Sequence, residues 1–267
     1  MPSMRENDSR RTDRREEDEQ IEGRNPVIEA LRAGRPIHKL FVLRGGETGL
    51  QHVVAMAKDA GAVIVDCDRR MLDGMSLTGA HQGVIAVCAA HAFATVEEIL
   101  AAAEESGRPP LIVLCDGIQD PHNLGAIIRS AETAGAHGVI ISKHRSAGLT
   151  ASCAKSAAGA LEHVPVARVA NLTQTIDLLK EKGIWIYGAA GEASAEVYKT
   201  DLTGPIGLVI GSEGFGLSRL VAEHCDALVS IPMLGKINSL NASAACAVLL
   251  FEAVRQRIMK DGRKNHG

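Results

Sequence analysis

The chain has 267 residues, a formal net charge of −3, 46% hydrophobic and 23% charged residues, and aromatic rings at only 3% of positions. That length accommodates about two domains with a core in each, and the composition is that of a globular protein. So few aromatics argue against a stacking platform for single-stranded nucleic acid, and the acidic balance requires that any nucleic-acid contact be a local basic patch.

Residues 1–20 are dense in Arg, Asp and Glu and offer almost nothing to bury, which predicts a disordered, solvated tail. Its arginines (Arg10, Arg11, Arg14, Arg15) are offset by acidic neighbours. A small α/β domain follows over 21–90. Asn25-Pro26-Val27 opens a short helix that Gly34 stops. His38–Leu43 reads as a strand, Gly49–Ala60 as an amphipathic helix, Ala62–Asp66 as a second strand, Met71 and Leu72 as a short helix, and Gly83–Cys88 as a third strand. Residues 91–110 form a linker, with a helix that Thr95 caps and Gly107-Arg108-Pro109-Pro110 ends.

From Leu111 short apolar strands alternate with helices. The strands are expected at Leu111–Cys115, Gly138–Ser142, Val164–Val169, Ile184–Ala189, Ile206–Ile210 and Ala227–Ile231. The helices are expected near Leu124–Ala134, Thr150–Ala160, Leu172–Lys182, Leu217–His224 and Ser239–Met259. This alternation predicts an α/β domain over 111–262, a parallel sheet with helices on both faces.

Cys67, Cys88, Cys115, Cys153, Cys225 and Cys246 form no C-x-x-C pair and sit mostly inside apolar runs. They read as buried free thiols rather than zinc ligands or disulfides. The first twenty residues lack the apolar stretch of a secretory signal, and no apolar run has the length of a membrane span. The expectation is a cytoplasmic protein with neither a membrane nor a metal as partner.

Three stretches stand apart from the general α/β pattern. In Asp116-Gly-Ile-Gln-Asp-Pro-His-Asn123-Leu-Gly-Ala-Ile-Ile-Arg129, a polar loop runs from a strand into a helix. Asn123 stands where an N-cap belongs, and Arg129 has an ion-pair partner available in Glu132. In Ile206-Gly-Leu-Val-Ile-Gly211-Ser-Glu213-Gly214-Phe-Gly216-Leu, a buried strand enters a glycine-rich turn able to bring backbone close to a ligand. The G-x-x-G-x-G spacing is neither the dinucleotide fingerprint nor a P-loop, and Glu213 is unsuited to a phosphate cradle. In Ile231-Pro-Met233-Leu-Gly-Lys-Ile-Asn238-Ser239-Leu240-Asn241-Ala-Ser243, a strand ends in a loop, and Ser239 or Asn241 begins a long helix of small residues.

Together the three stretches resemble, over residues 111 to about 259, the signature motifs of the SpoU/TrmH branch of the SPOUT methyltransferases. The run Glu22-Gly23-Arg24-Asn25-Pro26-Val27-Ile28-Glu29-Ala30-Leu31 is similar to the opening of that branch's small RNA-binding domain. The resemblance implies a SPOUT α/β-knot, in which the C-terminal segment threads a loop as a deep trefoil knot. Pattern alone predicts an open doubly wound sheet, since true knots are nearly absent from protein folds. It further implies S-adenosylmethionine as cofactor, held by Gly211, Ile231 and Leu240 with Ala189 and Met233, and a homodimer whose sites share residues. RNA is the implied partner, with a guanosine ribose of 23S rRNA favoured by the two-domain layout.

By the same resemblance Arg129 is the catalytic arginine, and Asn123, Glu213, Ser239 and Asn241 accompany it. A guanidinium pKa above about 12 makes a literal base uncomfortable, so gripping a phosphate and stabilising alkoxide charge suits it better; Glu213 is the other candidate to take the proton. The alternatives are a tRNA 2′-O-methyltransferase of the same fold, a drug-resistance rRNA methyltransferase and a nucleotide-binding α/β protein. Against the last, the glycine turn comes late in the chain rather than after the first strand.

Overall fold

The structure is a computed structural model and describes residues 18–45, 48–89 and 91–264. The arginines of the expected tail, Arg10, Arg11, Arg14 and Arg15, lie outside the described residues. In chain order the first elements are β1 (Asp18–Glu22), α1 (Arg24–Arg32), β2 (Ile37–Leu43), α2 (Thr48–Asp59), β3 (Val63–Cys67), α3 (Arg69–Met75) and β4 (Val84–Ala89). Next come α4 (Val96–Glu105), β5 (Leu111–Asp116), α5 (Pro121–Thr133), β6 (Gly138–Ser142), α6 (Ala151–Ala157) and β7 (Val166–Val169). The chain ends with α7 (Leu172–Glu181), β8 (Trp185–Ala189), β9 (Ala195–Glu196), β10 (Ile206–Gly211), α8 (Arg219–His224), β11 (Ala227–Ser230) and α9 (Ala242–Lys264).

The chain divides into two compact units, one holding residues through Ala92 with Leu149–His163, the other Phe93–Gly148 with the residues from Val164 onward. The first unit carries a four-stranded sheet in the order β1-β4-β2-β3. β1 extends into the segment expected to be unstructured, and the reason is backbone pairing rather than burial pattern. It lies antiparallel on β4, with Ile21 opposite Ala86 and Glu22 opposite Ile85, and such a ladder needs no apolar side chains. Ile21 is buried in it. Glu22 is buried too, accepting from Ser76 Oγ at 2.6 Å, Leu77 N at 2.5 Å and Gln20 Nε2 at 2.8 Å. Burial pushes the Glu22 carboxyl up, but the bonds from Ser76, Thr78, Leu77 and Gln20 outweigh it and hold the group below its usual range. The segment 149–163 joins this unit through ion pairs rather than strands. Arg35 binds Glu19 at 2.6 Å and Glu162 at 3.0 Å, all three side chains largely buried.

The second unit is a seven-stranded sheet in the order β7-β6-β5-β10-β8-β11-β9. Every pairing in it is parallel. β5 and β10 are central and apolar almost throughout, as strands covered on both faces must be. α4 begins with a capping box between Thr95 and Glu98, and its end is pinned by His137. That ring accepts from Leu111 N at 3.0 Å and bonds Ser106 Oγ at 2.9 Å. Burial, with Arg108 and Arg257 nearby, holds it below the usual histidine range. The cysteines are free; all are buried except the half-buried Cys225. Burial pushes the Cys153 thiol up to about 12. No helix among the described residues is long and apolar enough to cross a membrane.

Candidate functional site

Because the second sheet is wholly parallel, the connections that follow β5, β6, β8, β10 and β11 all leave from one edge, the place where open α/β sheets bind ligands. Register sets their neighbours. Gly211 stands opposite Asp116, so the loops after β10 and β5 start side by side. Ala189 stands opposite Val229, which brings the end of β8 beside the loop that follows β11.

The first of the three stretches folds differently from its expected capping. Asp120 is the N-cap of α5, accepting from His122 N at 2.8 Å, with Pro121 in the first turn. Proline suits that position because its missing N–H would find no partner there. Asn123 is therefore not the cap; it sits inside the first turn, buried at 8% exposure, with its amide free to reach other loops. Its Nδ2 donates to Asp120 Oδ2 at 3.2 Å and to Glu213 Oε1. Asn241 Nδ2 donates to the same Glu213 oxygen at 2.7 Å and to Asn123 Oδ1 at 3.0 Å. One residue from each stretch thus meets in a closed hydrogen-bonded triangle.

The amide orientations are dictated by chemistry. A carboxylate can only accept, so both Nδ2 groups must face Glu213. That leaves Asn241 Oδ1 for Ser243 N at 2.9 Å and Ala244 N at 3.3 Å, the bonds that cap the start of α9. Glu213 Oε2 has no hydrogen-bond partner among the described residues and stays available. The turn that carries Glu213 closes through reciprocal backbone bonds between Ser212 and Gly216, 2.9 Å each way. A Cβ on Gly211 would lie 2.2 Å from Gly216 C, so only glycine lets the turn fold back on its own strand.

Two cavities open beside the triangle. The larger, of about 710 Å³, is lined by Ala189, Gly211, Glu213, Ile231, Met233, Ser239, Leu240 and Asn241, together with Ile210, Val229 and Glu192, which the sequence reading had not singled out. Val229 near the end of β11 and Glu192 in the loop after β8 both lie on the ligand-binding edge, and that position is the signal that marks them. The smaller cavity, of about 340 Å³, is lined by Gly117, Ile118, Gln119, Asp120 and Asn123 and shares Ser212, Glu213 and Phe215 with the larger. Glu213 therefore stands in the wall that the two cavities share.

Arg129 is the one site candidate that lines neither cavity of this chain. It lies farther along α5, exposed, and its guanidinium has no hydrogen bond or ion pair among the described residues. The pairing with Glu132 does not form. Among the described residues no three His, Cys, Asp or Glu side chains converge as metal ligands.

The chain has relatives among known proteins. Residues 110–251 match the model of the SpoU rRNA Methylase family, and residues 20–94 match the model for RNA 2′-O ribose methyltransferase substrate binding. The chain is 46% identical over 224 residues to the 23S rRNA (guanosine-2′-O-)-methyltransferase RlmB of Yersinia pestis, covering 83% of this chain and 90% of that protein. It is 45% identical over 236 residues to YacO of Bacillus subtilis, named as a TrmH-family tRNA/rRNA methyltransferase, covering 88% of this chain and 94% of that one. The crystal structure of the SpoU methyltransferase AviRb from Streptomyces viridochromogenes with AdoMet matches at a TM-score of 0.79 and 29% identity, covering 93% and 94% of the two chains.

Proposed function

We propose that this chain, which belongs to the SpoU rRNA Methylase family, methylates the ribose 2′-hydroxyl of a guanosine in 23S rRNA. The enzyme is an S-adenosylmethionine-dependent RNA 2′-O-methyltransferase of a family that acts on tRNA and rRNA. The choice of 23S rRNA is supported by RlmB, which this chain parallels through both halves, and by the substrate-binding match at 20–94. In this reading 21–90 grips RNA and 111–262 carries out transfer in the cytoplasm, as a homodimer with a knotted C-terminal segment. The observation that carries it is the triangle of Asn123, Glu213 and Asn241, set in the wall shared by the two cavities.

The larger cavity fits the cofactor. Its volume of about 710 Å³ falls in the usual range for small-molecule sites. Ala189, Val229, Ile231, Met233, Leu240 and Ala242 make an apolar wall for a flat base, and Glu192 and Glu213 offer carboxylates to cationic groups. When bound, S-adenosylmethionine supplies a methyl group already activated on a sulfonium. The chain's own task is then alignment, which is worth several orders of magnitude in rate, and management of the hydroxyl proton.

Glu213 is suited to the proton. Two amides hold its Oε1 in place, and the unengaged Oε2 accepts a hydrogen bond from a ribose hydroxyl seated in the smaller cavity. Asn123 and Asn241 fix that carboxylate, and Ser239 lines the pocket behind it. Arg129 lines neither cavity of its own chain, so in this reading it serves the site of the second copy in the homodimer, holding a phosphate there and stabilising developing alkoxide charge. The exposed apolar residues Phe251, Ile258 and Met259 on α9 suit a face covered by a second copy, and light scattering at assay concentration tests the dimer.

The decisive experiment supplies tritiated S-adenosylmethionine with 23S rRNA and tRNA transcripts side by side, followed by mapping of 2′-O-methyl positions. Label on one guanosine ribose of the 23S transcript is expected. Label on tRNA alone would move the substrate to the other branch of the family.

A further inference from the structure

A third cavity of about 370 Å³ lies on the same sheet edge, and neither the cofactor nor the reacting ribose occupies it in the reading above. Its lining includes Asp116, Gly117, Ser142, His144, Arg145 and Asn171. The loop that forms it follows β6 and reads Lys143-His144-Arg145, three consecutive basic residues, all exposed. Arg168, at the neighbouring position on β7, is exposed as well; its guanidinium donates to Lys143 O at 3.3 Å and lies 5.4 Å from the centre of the Phe93 ring. The Lys143 ammonium and the Arg145 guanidinium have no partner among the described residues. The one carboxylate in the lining, Asp116, accepts from Ser218 N at 2.6 Å and is outnumbered by the Lys143, Arg145 and Arg168 cations around it.

Two further features join this basic loop to the reacting cleft. Ala147 N donates to Ile118 O at 2.7 Å, and Ser146 Oγ donates to the same oxygen at 3.3 Å. Ile118 and Gly117 line the smaller cavity beside Glu213. Gly117 belongs to both cavities, and a Cβ there would lie 3.6 Å from Ser212 Cβ and 3.9 Å from Arg145 O. Arg145 itself is held at φ +56, a left-handed conformation uncommon for a residue other than glycine.

We infer that Lys143, His144, Arg145 and Arg168 form a docking site for the RNA sugar-phosphate backbone, holding the phosphates next to the ribose that enters the Glu213 cleft. The inference rests on the proposed function for its ligand class and adds the surface that positions it. The unpaired Arg145 guanidinium and Lys143 ammonium on this exposed loop are matched to phosphate oxygens. Continuity through Gly117 and Ile118 makes a strand gripped here run into the reacting cleft. Contacts of this kind orient the substrate and carry no base preference.

The test uses the full-length protein and a 23S rRNA transcript, with affinity measured over a series of salt concentrations. Arg145→Gly removes the charge and keeps a backbone at ease with positive φ; Lys143→Ala with Arg168→Ala removes the flanking charges. Arg145→Gly is expected to weaken RNA binding about tenfold and to reduce the slope of log affinity against log salt by about 1. S-adenosylmethionine affinity, read by calorimetry, should stay at the wild-type value, and Arg145→Lys should recover part of the loss. If wild type methylates the transcript while Arg145→Gly and the double variant keep its affinity and salt slope, the docking site is refuted alone. A wild type that neither binds nor methylates RNA removes the proposed function and this inference together.

Discussion

Asn241 does two jobs with opposite ends of one amide, and substitution can separate them. Its Oδ1 caps α9, and its Nδ2 bridges Asn123 and Glu213. Asn241→Ala removes both. Loss of the cap costs about 1 kcal/mol, and the two donations, one exposed and one part-buried, add roughly 0.5 kcal/mol each once solvent screening is allowed for. At roughly 2–4 °C per kcal/mol for a protein of this size, melting should fall by about 4–8 °C. Asn241→Asp keeps the accepting oxygen, and a carboxylate at a helix N-terminus gains about 0.3–1 kcal/mol.

The same Asn241→Asp variant places a negative charge where an amide nitrogen now stands 2.7 Å from Glu213 Oε1. Two like charges about 3 Å apart repel by about 1 kcal/mol in water and several times that at the lower dielectric of a surface cleft. Both side chains are exposed and will swing apart, which limits the cost to stability and destroys the alignment. Asn241→Asp should therefore melt higher than Asn241→Ala, yet transfer methyl groups at least about 100-fold more slowly than wild type. Differential scanning calorimetry and single-turnover transfer at saturating cofactor measure the two effects. If Asn241→Asp transfers at near wild-type rate, or if activity simply follows melting temperature through the pair, the bridging amide has no part in the reaction.

Arg129→Ala should keep cofactor affinity and lose about 100- to 1000-fold in transfer; near-normal transfer would remove the arginine from the chemistry. Gly211→Ala should abolish cofactor binding by calorimetry, because its Cβ would lie 2.2 Å from Gly216 C and the turn has to open; wild-type affinity would mean the turn relaxes freely. Glu22 predicts an acid sensitivity. Its carboxyl is held below the ordinary glutamate value of 4.5, so its stabilisation is fully present above that value and is lost as pH falls through the folded-state pKa. Glu22→Gln should thus flatten the dependence of the urea midpoint on pH below about 4.5, and an unchanged acid slope would contradict the assigned bonds.

Much of the second unit was legible because its strands are buried on both faces. Gly138–Ser142 appears at its expected limits, and Leu111–Asp116 and Ile206–Gly211 each run one residue beyond them, since a continuous apolar run flanked by polar turns leaves little choice. β1 was illegible for the opposite reason: its stability comes from backbone pairing and from Glu22 held by a loop distant in sequence. The Asn123 cap was misplaced because Asp120 and Asn123 are both good caps, and only Pro121, which belongs in the first turn, separates them. Motif spacing brought the site residues together on the page; what spacing could not supply is that Glu213 would engage one oxygen twice and leave the other open.

Net charge misleads for the same reason that spacing succeeds: the relevant distances are short. At physiological salt the Debye length is about 8 Å, so the −3 of the whole chain has little effect on a phosphate already at the Lys143-His144-Arg145 loop. What that phosphate senses is the local arrangement, with basic groups on one side of Gly117 and Glu213 on the other. An acidic chain handling a polyanion then has a definite consequence. Encounter draws little on long-range attraction, so association should depend weakly on salt at the first step, and most of the salt dependence should appear in the dissociation rate. Stopped-flow measurement of both rate constants between low and physiological salt tests this; a steep fall in the association rate with an unchanged dissociation rate would instead locate the electrostatic footprint far from the cleft.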